Sequence, residues 1–119
     1  GGGGTVTANA GDLAMLAALV ECEAGGESYD GQLAVASVVV NRVKSGAFPN
    51  TVSGVIYQGG QFSPVASGRF AMVLAKGAAG SCTQAATAAL SGNTKVSSLY
   101  FCQASSGVSG TVIGNHVFY

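Results

Sequence analysis

Residues 21–31 read ECEAGGESYDG and hold Glu21, Glu23, Glu27 and Asp30, four of the chain's five acidic residues. Asp12 is the fifth, and the five basic residues, Arg42, Lys44, Arg69, Lys76 and Lys95, all come later. Carboxyls crowded in this way suit acid–base chemistry. Burial penalises the charged form and keeps one carboxyl protonated while its neighbours ionise. A proton held like that is what the leaving oxygen of a glycosidic bond needs, and ordinary glycosidases add a second carboxylate as base or nucleophile. No acidic residue follows Asp30, which favours a scheme with one carboxylate. Glu27 is the reserve for a second if its loop folds back.

Other reactive groups are sparse. Cys22, Cys82 and Cys102 show no CxxC spacing, and His116 is the single histidine. A zinc amidase or His-based metallopeptidase generally needs two or three histidines, so no metal and no cofactor is expected. Cys22 with His116 could still serve a cysteine hydrolase acting on peptides, provided Cys22 faces a cleft.

At 119 residues, 48% apolar and 8% charged, the chain reads as one ordered globular domain. Net charge is zero and no basic patch is visible, so nucleic acid is excluded as a partner class. A neutral polymer such as a polysaccharide fits the small polar surface. No apolar run reaches the ~20 residues of a membrane helix, so no membrane insertion is expected. Residues 1–11, with the run Gly1-Gly2-Gly3-Gly4, read as a linker or cut junction, with any export signal upstream and the catalytic domain at 12–119.

The elements that must position the acids follow from periodicity. Asp12 reads as the N-cap of a helix over 13–24 whose apolar stripe is Leu13, Leu16, Ala17, Val20 and Ala24. Glu23 falls about 50° from the stripe's centre, Glu21 about 110° away and facing water, and Cys22 nearly opposite the stripe. Gly25-Gly26 ends the helix. Ser28 caps a second helix over 29–46, apolar almost all round and therefore central, although Val38-Val39-Val40 also suits a strand. A short helix follows over 51–58, then Gly/Ser/Pro turns over 59–80, a helix over 82–92, and strands over 97–102 and 110–119. Helices first and a small antiparallel sheet from the C-terminal half imply α+β.

Several motifs at ordered spacing then carry a resemblance. They are Glu23 to Glu27, reading Glu-Ala-x-Gly-Glu; Gly31-Gln32 leading to Asn41-Arg42-Val43; and Phe48-Pro49-Asn50. Gly54 to Tyr57, Phe62-Ser63, and Gly114-Asn115-His116 with Phe118 complete the set. With them the chain resembles the spore cortex-lytic and cell-wall hydrolase family of the SleB/CwlJ type, over roughly residues 12–119. The resemblance implies a compact lysozyme-like domain of helices around one buried central helix. It further implies cleavage of peptidoglycan glycan strands outside the cell, at the wall or spore cortex, by a monomer. The family's catalytic acid maps onto Glu23. The chain departs from the pattern beside that acid, with Gly25 where Arg is usual and Glu21-Cys22 in place of a more usual pair. Residues 70–80 match no motif.

In a lytic transglycosylase the muramic acid's own 6-hydroxyl attacks the anomeric carbon, and the same glutamate serves as acid and then base. A muramidase using Glu27, a cysteine-dependent wall peptidase and a non-catalytic glycan-binding module are the alternatives. Tyr57, Phe62 and Tyr100 could stack on sugar rings or fill the core. Glu27, Gln61, Ser63 and Asn115 could bind saccharide hydroxyls or satisfy helix ends and turns. His116 could act as a base or brace the last strand. An extracellular setting permits a Cys82–Cys102 disulfide, worth ~3 kcal/mol in the chain-entropy model, with three reduced cysteines the other possibility.

Overall fold

A capping box opens the fold. Asp12 N–H donates to Asn9 Oδ1 at 2.9 Å while Asn9 N–H donates to Asp12 Oδ2 at 3.1 Å, and helix α1 runs Ala10–Ala24. Asn9 is therefore the cap and Asp12 the third helical residue, where its carboxylate answers the cap's own N–H. The helix thus starts inside the stretch expected to be linker. The computed structural model describes residues 6–119, and the run Gly1-Gly2-Gly3-Gly4 lies outside them.

Ser28 Oγ accepts from Gly31 N–H at 3.2 Å and starts α2, Tyr29–Lys44. The Val38-Val39-Val40 run is helical and fully buried, so length and capping outweigh its strand propensity. α2 packs on α1 and on α6, Gly80–Leu90, and these two also pack on each other. Small residues at the contacts, Ala17, Ala18, Ala34, Ala36, Ala85, Ala86 and Ala89, are all buried and let the three helices approach closely. α3, Val52–Ile56, rests on both α1 and α2.

Residues 59–80, expected as turns, hold two further helices, α4 at Ser63–Ser67 and α5 at Arg69–Lys76. Pro64 lies in the first turn of α4, where a missing N–H costs nothing, so a residue read as a breaker is a starter. Gly68 joins the two helices at φ +86°, a conformation that favours glycine. α5 buries Phe70 and Val73 against the core and leaves Met72 outside. α6 begins two residues before its expected start.

The sheet is smaller than expected. β1 spans Phe101–Gln103, β2 Thr111–Ile113 and β3 His116–Phe118, in the antiparallel order β1-β3-β2. Phe101 faces Phe118 across one ladder and Ile113 faces His116 across the other. Residues 97–99 do not join the sheet, and side chains of α2 take the carbonyls of residues 96, 98 and 99. Asn41 Nδ2 donates to Val96 O and Ser98 O, both at 2.9 Å, and Arg42 Nε donates to Leu99 O at 2.7 Å.

The Cys82–Cys102 disulfide is not formed, and all three cysteines are free. Cys82 is sealed in the helical core, while Cys102 on β1 has its sulfur 3.2 Å from Ser106 Oγ. Each sulfur is committed to its own surroundings.

Arg42 is 4% exposed. Its Nη1 donates to Gln61 Oε1 at 2.9 Å, and its Cζ lies 4.7, 5.4 and 5.3 Å from the ring centres of Phe48, Phe62 and Tyr100. Cation–π attraction replaces the carboxylate such a buried charge normally takes. Arg42→Leu should destabilise the domain by about 3 kcal/mol, since it strands the Leu99 carbonyl and removes charged hydrogen bonds. A urea midpoint equal to the parent's would contradict this.

Candidate active site

Of the five side-chain carboxyls, four are engaged. Asp12 belongs to the α1 capping box. Asp30 pairs with Lys95 at 3.5 Å. Glu21, expected to face water, has a side chain only 15% exposed and pairs with Lys76 Nζ at 3.0 Å. It also accepts from Ala79 N–H at 2.7 Å, the backbone N-cap of α6. The Lys76 ammonium, then that N–H, hold Glu21 below the usual carboxylate range. Glu27 accepts from Asn115 N–H and from Asn115 Nδ2, each at 2.9 Å. The backbone N–H first, then the amide and the charge of His116, hold it low as well.

Glu23 is the exception. It lies in the last turn of α1, half-buried beside fully buried Ala24, and has no hydrogen bond or ion pair among the described residues. Burial alone pushes its carboxyl above the ordinary value. A carboxyl raised by burial and with nothing else to bond has the environment a general acid requires.

The other expected site residues divide into groups. Tyr57, Phe62 and Ser63 line one hollow of about 370 Å³ together with Gln58, Gly59 and Gly60. Tyr57 is exposed and sits edge-on to Phe70, with ring centres 5.6 Å apart, while Phe62 is buried. Gln61 turns away to Arg42, and Asn115 is bound to Glu27. Tyr100 is 44% exposed and stacks on Tyr119, 46% exposed, at 5.4 Å and 18°.

Tyr119 was not anticipated. The backbone bonds of Tyr100 N–H to Tyr119 O and Tyr119 N–H to Tyr100 O, both 2.9 Å, bring together residues far apart in sequence. The one available sign was the alternation His116, Phe118 against Val117, Tyr119. His116 is buried, edge-on to Phe101 at 5.2 Å, and its Nδ1 has no hydrogen-bond partner among the described residues.

A larger groove of about 760 Å³ runs along α5, lined by Glu21, Arg69, Met72, Val73, Ala75 and Lys76. Glu23 lines neither hollow. Cys22 is half-buried and packs against the core instead of facing away from it. Burial raises its thiol despite the opposing hydrogen bond from Arg69, which makes it a poor nucleophile.

The family model described as Cell Wall Hydrolase matches residues 26–119. This chain belongs to the cell wall hydrolase family. Its match begins just after Glu23, so α1 rests on the structural comparison. The catalytic domain of the germination-specific lytic transglycosylase SleB from Bacillus anthracis is 34% identical with a TM-score of 0.79, covering 93% of this chain and 95% of that one. The catalytic domain of the Bacillus cereus SleB protein is 35% identical with a TM-score of 0.81, covering 99% and 98%. The α+β architecture is common to all three.

A spore cortex-lytic enzyme of Bacillus cereus is 52% identical over 58 residues, 49% of this chain and 22% of its own length. The Bacillus subtilis one is 48% identical over 61 residues, 51% and 20%. The matched stretch thus spans about a fifth of these curated relatives.

The raised Glu23 carboxyl has a consequence for stability. Below the ordinary carboxylate range both folded and unfolded chains hold its proton. As pH rises past that range the unfolded chain ionises first, so Glu23's contribution is lost progressively through its raised folded value. Glu21 and Glu27, held low, act in the opposite sense at more acidic pH. Melting temperatures of the parent and Glu23→Gln should therefore coincide in acid and separate towards neutrality, the variant being the more stable. Parallel curves would mean that burial does not perturb Glu23.

Proposed function

We propose that this domain cleaves peptidoglycan glycan strands between N-acetylmuramic acid and N-acetylglucosamine as a lytic transglycosylase. One observation carries the reading. Glu23 is the single side-chain carboxyl that burial pushes above the ordinary value and no partner occupies, on a domain that aligns over nearly its whole length with SleB catalytic domains.

Glu23 donates its proton to the bridging oxygen as the bond from the muramic anomeric carbon breaks. The departing N-acetylglucosamine leaves with that proton as its 4-hydroxyl. The muramic 6-hydroxyl then bonds to the anomeric carbon and gives its proton to the Glu23 carboxylate. Acid and base are restored in one residue, no water is consumed, and a 1,6-anhydromuramoyl end remains. A second carboxylate has no task in this sequence. Both oxygens of Glu27 already accept from Asn115.

The hollow of Tyr57, Phe62 and Ser63 offers an aromatic face and a hydroxyl to a sugar ring. The exposed face of Tyr119 offers a second aromatic surface. The enzyme works as a monomer outside the cell, at the wall or the spore cortex.

Removing a general acid costs typically 10²–10⁴-fold, so Glu23→Gln should lose at least about 100-fold of lytic activity on purified cell wall. Turnover near the parent's would end the assignment. Mass spectrometry of the parent's digest should show ends one water lighter than hydrolysis products. Reducing ends in their place would mean that water, not the 6-hydroxyl, attacks.

A further inference from the structure

Glu27 and Asn115 are 88 positions apart in sequence, yet both Glu27 oxygens accept from that one residue. The turn that delivers Asn115 is shaped around this carboxylate. Gly114 stands at φ +60°, and a Cβ there would collide with Glu27 Oε1, so position 114 has neither the backbone nor the room for a side chain.

The loop is held from its other side too. Glu27 N–H donates to Ala24 O at 3.0 Å. The buried amide of Gln32 reaches the carbonyls of Gly25 and Glu27, at 3.5 and 3.3 Å. The backbone immediately after Glu23 is thus fixed between α2 below and the β2–β3 turn above.

We infer that Glu27 is a positioning residue for the reaction. Its carboxylate clamps the β2–β3 turn onto the 25–28 loop and thereby sets where the Glu23 carboxyl sits relative to a bound glycan strand. The inference rests on the function proposed above and gives Glu27 a role other than base, nucleophile or sugar ligand. An acid displaced by about 1 Å loses on the order of 100-fold in rate, so a loose clamp shows in kcat.

The two single changes act differently on the clamp. Glu27→Gln removes the charge but keeps the contact, because its amide oxygen accepts from the backbone N–H at 115 and the Asn115 amide turns its Oδ1 to the new N–H₂. Asn115→Asp sets carboxylate against carboxylate. Combined, the two re-form the pair with its polarity reversed. The new amide's oxygen accepts from the backbone N–H at 115, and its N–H₂ donates to the new carboxylate. The double variant lacks an acid at 27 but has the clamp.

The experiment measures kcat and KM for anhydro-product release by the parent, both single variants and the double variant, each corrected for folded fraction by thermal melting. Asn115→Asp should lose at least about tenfold in kcat with KM within about threefold, and Glu27→Gln should stay within about threefold of the parent. The double variant should recover to within about threefold of the parent, the coupling expected of residues in direct contact.

Parental kcat in Asn115→Asp would overturn the inference. So would a tenfold loss in Glu27→Gln, or a double variant no better than Asn115→Asp, since either outcome makes the charge at 27 itself chemical. A loss in Asn115→Asp seen only in melting temperature would reduce the clamp to a structural contact, and also overturns it. Failure of the parent to release anhydro products would instead refute the proposed function, and is read in the same assay.

Discussion

The fold depends on the burial of the middle of α2. Polar side chains there have little access to water, and one left without a partner costs a few kcal/mol. Gln32 bonds the carbonyls of the loop after Glu23. Ser37 donates to Leu33 O and accepts from Lys95 N–H. Asn41 and Arg42 hold residues 96–99. The four solutions share a form, a side chain of the central helix satisfying the backbone of an irregular segment. α2 thereby acts as a template, arranging the loop behind the acid at one end and the approach to the sheet at the other.

That arrangement explains what could be read from the chain in advance. The helices over 10–24 and 29–44 were legible because apolar residues recur on one face or fill all faces. The half-buried position of Glu23 could be read from its angle to the stripe of α1, whereas its proposed role came from the Glu-Ala-x-Gly-Glu motif. The failures have a common cause. The state of residues 96–99 is set by Asn41 and Arg42, more than fifty positions away, and no local pattern carries that information. α4 and α5 were hidden because Pro64 and Gly68 serve as a first-turn residue and a left-handed joint, whereas in isolation they look like breakers. Glu21 was assigned to water by its angle on α1. The structure brings α5 and the start of α6 over that face, and such tertiary packing overrides a helical wheel.

The crowding of carboxylates between 21 and 30 has an electrostatic explanation. Glu21 and Glu27 flank Glu23 along the chain, and each is turned to a distant partner. Glu21 meets Lys76 and the first turn of α6. Glu27 meets Asn115. Their charges are absorbed by those partners, so neither competes for the environment of Glu23. The same short segment therefore contains two carboxyls held low and one held high, the separation of acid strengths that acid–base sites on other folds also show.

The sheet consists of three strands of three residues each, and much of the outer surface of β2 faces solvent. Amides of α2, enclosed by α1, α3 and α6, exchange with solvent hydrogen only when the whole domain opens, whereas short edge ladders exchange through local opening. Glu23 is carried by the helical unit, and Asn115 and Tyr119 by the short-stranded one. The domain thus has a slowly exchanging half that carries Glu23 and a more readily opened half beside it, divided along the seam where Glu27 meets Asn115.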